Sequence, residues 1–225
     1  MHMKKIIFWT LGAIVLLVVI GIASLKILEK NASEISIGKP IERDNTEKSA
    51  LLVIDIQGST TGEQSLTDCY KQESDTLIQR INRIILKANQ NKIPIIYIRN
   101  EISNWFVNLL NNSMEKGSAG AAFDKRLMIL SKFIIPKEKN DAFSNPRLDS
   151  ILNANKVNKL FIVGLDAAYC VNSTILAATN RAYKVSVITD ALVSESDSLK
   201  NKMLNEYLSR NVELLNMKDF LDKEQ

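Results

Sequence analysis

Six runs of this chain are short, apolar and rich in β-branched residues. They are Ala50–Ile56, Ile93–Ile98, Phe133–Ile135, Lys159–Val163, Val185–Thr189 and Val212–Leu215. A strand with one wet face alternates polar and apolar residues. These runs barely alternate, so both of their faces must be covered. Between them lie segments of helical period. Ser74–Lys87 places Leu77, Ile81, Ile84 and Ile85 on one side, and Asp197–Ser209 does the same with Leu199, Met203 and Leu208. Ile102–Leu110, Pro146–Leu152 (with Asn145 as its cap) and Cys170–Ala182 read as further helices. Strand alternating with helix predicts an α/β fold, a six-stranded parallel sheet with helices on both faces.

Composition narrows what such a fold can do. The 225 residues are 46% hydrophobic, too apolar for a disordered chain. The net charge of +4 comes from lysines scattered along the whole sequence, which gives no support for nucleic-acid binding. Two cysteines, Cys69 and Cys170, form neither a disulfide framework nor a zinc site. The sole histidine is His2, so no imidazole chemistry is open to the folded domain, and no metal or cofactor is expected.

Residues 6–25 read IIFWTLGAIVLLVVIGIASL, with no charge. As a helix the run would be ~30 Å long, enough to span a bilayer. It exceeds the ~7–15 apolar residues of a secretory signal, although Gly21-Ile22-Ala23 resembles a cleavage site. The expected organisation is a membrane anchor at 1–28, a polar linker at 29–48 and one domain at 49–225. Lys4 and Lys5 before the run suggest an inside N-terminus, with the domain outside the cytoplasm. A cleaved, secreted form is the alternative.

In a parallel sheet, function gathers at the carboxyl ends of the strands, where the strand order reverses. With the order 3-2-1-4-5-6, Asp55 at the end of the first strand and Cys170 just past the fourth would face one crevice, within reach of Lys137 after the third. A helix N-terminus at Cys170 would lower its pKa and favour the thiolate. Without histidine, a buried carboxylate is the available base, and a lysine near both would stabilise the thiolate. Each residue singly has a plainer reading: a small buried hydrophobe, a strand-end cap, a solvated lysine. Their convergence is what points to chemistry.

The motifs agree with a known family. Leu51-Leu52-Val53-Ile54-Asp55-Ile56-Gln57, Lys137 through Asp141-Ala142-Phe143, Gly164 through Cys170-Val171 with Ser173-Thr174, and Tyr183 through Asp190-Ala191 come in matching order and spacing. Over about residues 49 to 215 the chain resembles the isochorismatase-like cysteine hydrolases, which include nicotinamidases and N-carbamoylsarcosine amidases. The resemblance implies a Rossmann-type three-layer sandwich. It implies Asp55 as base, Lys137 as stabilising cation and Cys170 as nucleophile. It also implies a cis peptide at Leu165–Asp166, with the N–H groups of Asp166 and Cys170 as oxyanion hole. The retained cysteine implies hydrolysis of a small-molecule C–N amide bond through a thioester. Isochorismatase-type hydrolysis, or a catalytically silent binding domain, is the alternative. Assembly into homo-oligomers is implied as well.

Departures from the family pattern shape the expected pocket. The metal site that nicotinamidases build from an Asp and two His after the second strand has no histidine here. Asn100, Glu101 and Asn104-Trp105-Phe106 stand in that region, and Asp141 replaces the usual Ser. Gln57, Asn100, Trp105, Phe143 and Leu165 are the candidate substrate-binding residues, although Trp105 and Phe106 could instead pack on a partner subunit. Gly117-Ser118-Ala119-Gly120 resembles a substrate loop. Asp141 and Asp166 are expected to bring negative charge to the pocket mouth and so to disfavour anionic substrates.

Overall fold

The computed structural model describes residues 2–42, 46–111 and 113–222. The chain divides into two compact units, Met1–Glu34 and Ile35–Gln225. The first holds a single helix, α1 (His2–Ser33). Within the expected membrane segment, the side chains of residues 6–8, 10–14 and 17–18 lie outside the described residues. Among the described residues, no helix is long and apolar enough to cross a membrane.

The second unit carries β1 (Ser49–Ile54), α2 (Asp68–Gln90), β2 (Ile95–Asn100), α3 (Trp105–Leu110), β3 (Ile134–Lys137), α4 (Arg147–Ala154) and β4 (Lys159–Gly164). It continues through α5 (Asn172–Asn180), β5 (Lys184–Leu192), α6 (Asp197–Ser209), β6 (Glu213–Leu215) and α7 (Met217–Asp222). A 3₁₀ turn at Ala142–Ser144 and a π-helical turn at Ala167–Val171 complete it. The six strands are parallel in the order β3-β2-β1-β4-β5-β6, as the sequence predicts.

Period-two alternation along each strand sorts its side chains to two cores. Leu51, Val53, Ile95, Tyr97, Phe161 and Val163 pack under α2 and α7. Leu52, Ile54, Ile96, Ile98, Leu160 and Ile162 pack under α4, α5 and α6. The stripe on α2 is Leu77, Ile78, Ile81, Ile84, Ile85 and Ala88, all buried. Each large aliphatic among them contributes roughly 2 kcal/mol of burial. The helix is longer than its apolar period suggests because its first turn is polar, with Asp68 favoured by the helix dipole. On the edge strand β3, Pro136 removes an N–H that could recruit another strand. The short α7, absent from the sequence expectation, seats Phe220 edge-on against Phe161 at 5.0 Å.

The predicted linker is in part ordered domain. Ile35 and Ile41 are partly buried against the core, and the Ile41 N–H donates to the Arg181 carbonyl at 2.9 Å. Two isoleucines inside a polar stretch are too sparse to show as a periodic pattern, yet they dock it. Residues 43–45 lie outside the described residues.

β4 ends at Gly164, whose φ of +121° and contact with β1 both require glycine: a Cβ there would lie 2.1 Å from the Ile54 carbonyl oxygen. Gly164→Ala should therefore destabilise the domain by about 3 kcal/mol or more, from backbone strain plus overpacking. Denaturant unfolding followed by near-UV circular dichroism of the buried tyrosines and phenylalanines reads this directly. A wild-type midpoint would show that the two strands can separate freely there.

Candidate active site

The carboxyl ends of β1, β3 and β4 converge on one buried group of side chains. Asp55, the residue after β1, takes a left-handed conformation (φ 54°), which aspartate tolerates better than most residues. Its N–H donates to the Ile98 carbonyl at 3.0 Å, and its carbonyl accepts from Thr60 Oγ1 at 2.6 Å. These bonds hold the chain as it leaves the sheet and fix the carboxylate. Lys137 is the last residue of β3, with its side chain fully enclosed. Cys170 lies in the π-helical turn after β4 and is 8% exposed.

The lysine ammonium joins the other two groups. Lys137 Nζ lies 2.9 Å from Asp55 Oδ2 and 3.1 Å from Cys170 Sγ. Its third acceptor is Asn100. With the amide oriented to satisfy its neighbours, the Asn100 oxygen accepts from Lys137 Nζ and its nitrogen donates to the Lys137 carbonyl, both at 3.2 Å. Three donors thus meet three acceptors. Asp55 Oδ1 is buried and makes no other hydrogen bond among the described residues, which leaves it free to take a proton. Sγ also sits 3.9 Å from Asn140 Oδ1.

Burial pushes the Cys170 thiol up to about 12; the Lys137 ammonium opposes the shift, and the Asp55 carboxylate adds to it. The expectation of a pKa lowered by a helix N-terminus is therefore corrected. Cys170 sits inside the π turn ahead of α5 and is desolvated there, and desolvation outweighs the favourable charge. For Lys137, burial also disfavours the charge, but Asp55 and Cys170 overcome it and hold the ammonium above its ordinary range. At rest the site thus holds an ammonium and a neutral thiol beside Asp55.

The other predicted residues divide sharply. Asn100 belongs to the cluster. Gln57 stands behind it: its Nε2 donates to the Asn100 and Ala121 carbonyls at 2.9 and 2.8 Å, and its Oε1 accepts from the Asn100 N–H at 2.7 Å. Its amide is fully engaged in bracing the end of β2. Phe143 and Leu165 are core residues, at 2% and 1% exposure. Phe143 packs beneath the Arg181 guanidinium at 4.6 Å and beside Tyr183. Trp105 is 74% exposed, edge-on to Phe106, and so does not wall the cluster. These three aromatic and aliphatic positions are therefore corrected as pocket-lining residues.

The expected negative charge at the pocket mouth is corrected too. The Asp166 carboxylate caps the π turn, accepting from the Ala168 N–H at 2.5 Å, Ser194 Oγ at 2.9 Å and Tyr70 OH at 2.8 Å. The Asp141 carboxylate accepts from the Phe143 N–H at 2.7 Å, from the Ser36 N–H at 2.9 Å and from the Ser36 hydroxyl. Both carboxyl groups serve backbone and hydroxyl donors inside the protein. The Leu165–Asp166 peptide is cis. Sequence reasoning missed Asn140, Thr60 and Ser36, polar residues in loops that carry no periodic signal.

The region corresponding to the nicotinamidase metal site does not fit a metal ion. Asn100 is engaged with Lys137, Glu101 pairs with Arg99 at 2.6 Å, and Asn104 Oδ1 caps α3 through the Phe106 and Val107 N–H groups. The Gly117–Gly120 loop lies against the first loop of the sheet, where the Ser59 N–H donates to the Gly120 carbonyl at 3.0 Å. A cleft of about 470 Å³ opens beside β3, with Glu101, Ser103, Lys116, Glu138 and Asn145 in its wall together with Lys137.

Comparison with known proteins places the chain in a family. The Isochorismatase domain family model matches residues 49–219. A probable inactive nicotinamidase of Arabidopsis thaliana is 30% identical over 164 residues, 67% of this chain and 83% of that protein. An N-carbamoylsarcosine amidase of an Arthrobacter species is 24% identical over 148 residues, 60% of this chain and 55% of that protein. The crystal structure of N-carbamoylsarcosine amidase from Thermoplasma acidophilum superposes with a TM-score of 0.65 at 21% identity, covering 79% of this chain and 99% of that one. With its family model spanning the whole sheet and its amidase relatives, the chain belongs to the isochorismatase family of hydrolases.

Proposed function

We propose that this protein is a membrane-tethered cysteine amidohydrolase that cleaves a C–N bond of a small amide or urea through a thioester. The observation that carries this reading is Lys137 Nζ lying within 3.1 Å of both Asp55 Oδ2 and Cys170 Sγ inside a buried site. Proton transfer from the thiol to Asp55 converts a carboxylate and a neutral thiol into a carboxylic acid and a thiolate. The total charge is unchanged, and the same ammonium contacts the negative group before and after. Burial therefore penalises the step little, because no net charge is created in the low-dielectric site.

The sequence of steps follows. The Cys170 thiolate attacks the carbonyl carbon, and the oxyanion is received by the Asp166 and Cys170 N–H groups, worth roughly 3 kcal/mol per donor. Asp55 returns its proton to the departing nitrogen, and ammonia or an amine leaves. Water, losing a proton to Asp55, attacks the thioester; the acid departs and the thiol is re-formed. The small exposed area of the sulfur favours a compact planar substrate over a peptide. The kinship with N-carbamoylsarcosine amidase favours a carbamoyl group. Tethering rests on the uncharged run at 6–25, with the domain outside the cytoplasm. The exposed Trp105 and Leu109 of α3 suit a contact with a second copy of the chain. A silent binding domain is the second reading, favoured by the inactive Arabidopsis relative.

A panel of small amides and N-carbamoyl compounds, scored by ammonia release, tests the activity. Cys170→Ala should lower turnover of the best substrate by at least ~10³-fold, and Asp55→Asn by ~10²-fold or more. Equal release by wild type and Cys170→Ala would remove the catalytic reading.

The thiol also leaves a mark on stability. Its folded-state pKa is raised from 9.0 to about 12, so the folded chain keeps a proton that the unfolded chain releases. That contribution is complete below about pH 9 and declines as pH climbs towards 12. Between about pH 9 and 10, below the ordinary lysine and tyrosine ranges, the wild type should lose stability faster than Cys170→Ala. Parallel pH dependences in urea unfolding would show that the thiol is not buried in solution.

For the tether, the full-length chain should stay in the membrane pellet after an alkaline carbonate wash. Release into the supernatant would leave only a peripheral or soluble enzyme.

A further inference from the structure

The segment Ile35–Ile41 is built into the domain next to the loop that follows the catalytic lysine. Ser36 donates both its N–H (2.9 Å) and its hydroxyl to Asp141 Oδ2, and Arg181 donates to the Ser36 carbonyl at 3.1 Å. Gly38 passes so close over Arg181 that a Cβ would come within 2.4 Å of Nε. Arg181 in turn bonds Asp149 of α4 at 2.9 Å and the Ala177 carbonyl of α5 at 3.1 Å. α5 directly follows the turn that bears Cys170. The strap therefore meets two of the three chain segments that supply the reacting groups, those of Lys137 and Cys170.

Asp141 is wholly buried, and its carboxylate depends on three donors. Oδ1 accepts from the Phe143 N–H, while both donors to Oδ2 come from Ser36. Burial pushes this carboxyl up, and the Ser36 donors, the Phe143 N–H and the Arg181 charge pull it back. Asp141 is the neighbour of Asn140, whose Oδ1 lies 3.9 Å from Cys170 Sγ, and the Ala142 N–H donates to Thr174 Oγ1 of α5 at 3.1 Å. A buried carboxylate that loses a donor must regain solvation, and it can do so only by moving the loop that carries it.

The geometry points to Ser36 as a positioning residue of the active site: through Asp141 it fixes the segment from Lys137 to Phe143 and holds Asn140 against the sulfur. On this account the strap is a working part of the site, and the aspartate at position 141 is matched to it. The inference rests on Cys170 being the nucleophile.

Labelling of the full-length chain with iodoacetamide, with Cys170 and Cys69 resolved by peptide mass spectrometry, reads the effect without any substrate. In wild type, Cys170 should label slowly but measurably at neutral pH through proton transfer to Asp55, and Asp55→Asn should slow it further by about tenfold or more. Ser36→Ala should slow Cys170 about tenfold at neutral pH, as expected for a reacting group displaced by a fraction of an ångström. The deficit should shrink at alkaline pH, where direct ionisation replaces the positioned proton acceptor. Cys69 should be unaffected, and Ser36→Thr should restore the wild-type rate. A purely structural strap gives the opposite sign, because loosening alone exposes the sulfur and speeds labelling. An unchanged or faster Cys170 in Ser36→Ala would overturn the proposal while leaving the nucleophile assignment standing. Cys170 labelling as fast in Asp55→Asn as in wild type would overturn both. If Ser36→Ala fails to fold, the isosteric Asp141→Asn carries the same expectation and the same refutation.

Discussion

The arrangement depends on one buried ammonium. Lys137 Nζ is enclosed by Asp55, Cys170 and Asn100, and each of its three protons has an acceptor. Taking one partner from a buried ion pair commonly costs about 3–5 kcal/mol, because the remaining charge stays desolvated. Such a pair is a weak source of stability compared with an apolar core. Its presence at the ends of otherwise hydrophobic strands makes sense under the proposed chemistry, in which the ammonium lets negative charge move between oxygen and sulfur without leaving the protein.

That requirement explains the local backbone. A carboxylate carried on the next strand position would point to a sheet face, where the two cores lie. The left-handed turn at Asp55 takes it off the strand axis and into the crevice. Gly164 lets β4 approach the β1 backbone at the same level, so the turn bearing Cys170 begins beside Asp55. Gln57 then locks the end of β2, which sets Asn100 against Lys137. Three strand ends are thus aligned by backbone contacts that the ion pair alone could not impose.

The fold was legible because its signal is repeated. Six buried strands, each flanked by a helix of apolar period, leave few other arrangements, and the strand order is the one assumed for a doubly wound sheet. Asp55, Lys137 and Cys170 were legible because each stands at a strand's carboxyl end. The pocket was not. Phe143 and Leu165 carry apolar side chains next to motif positions, and nothing in sequence separates a pocket wall from a core residue; burial decided for the core. Asp141 and Asp166 read as surface charge because their donors, Ser36, Ser194 and Tyr70, are distant in the chain.

The thiol's protonation ties these points together. A sulfur exposed at a helix N-terminus would rest as thiolate and react with any passing electrophile or oxidant. Here burial keeps it neutral, and reactivity waits for a proton to pass to Asp55. The neutral resting state protects the sulfur from oxidants. It also makes the site sensitive to small displacements, since the proton moves only if carboxylate, sulfur and ammonium keep their mutual distances. Loop supports such as Thr60 beneath Asp55 and Ser36 beneath Asp141 then matter to the chemistry although neither touches the sulfur. In a buried triad of this kind, the boundary between scaffold and active site is set by how far a displacement propagates to that proton.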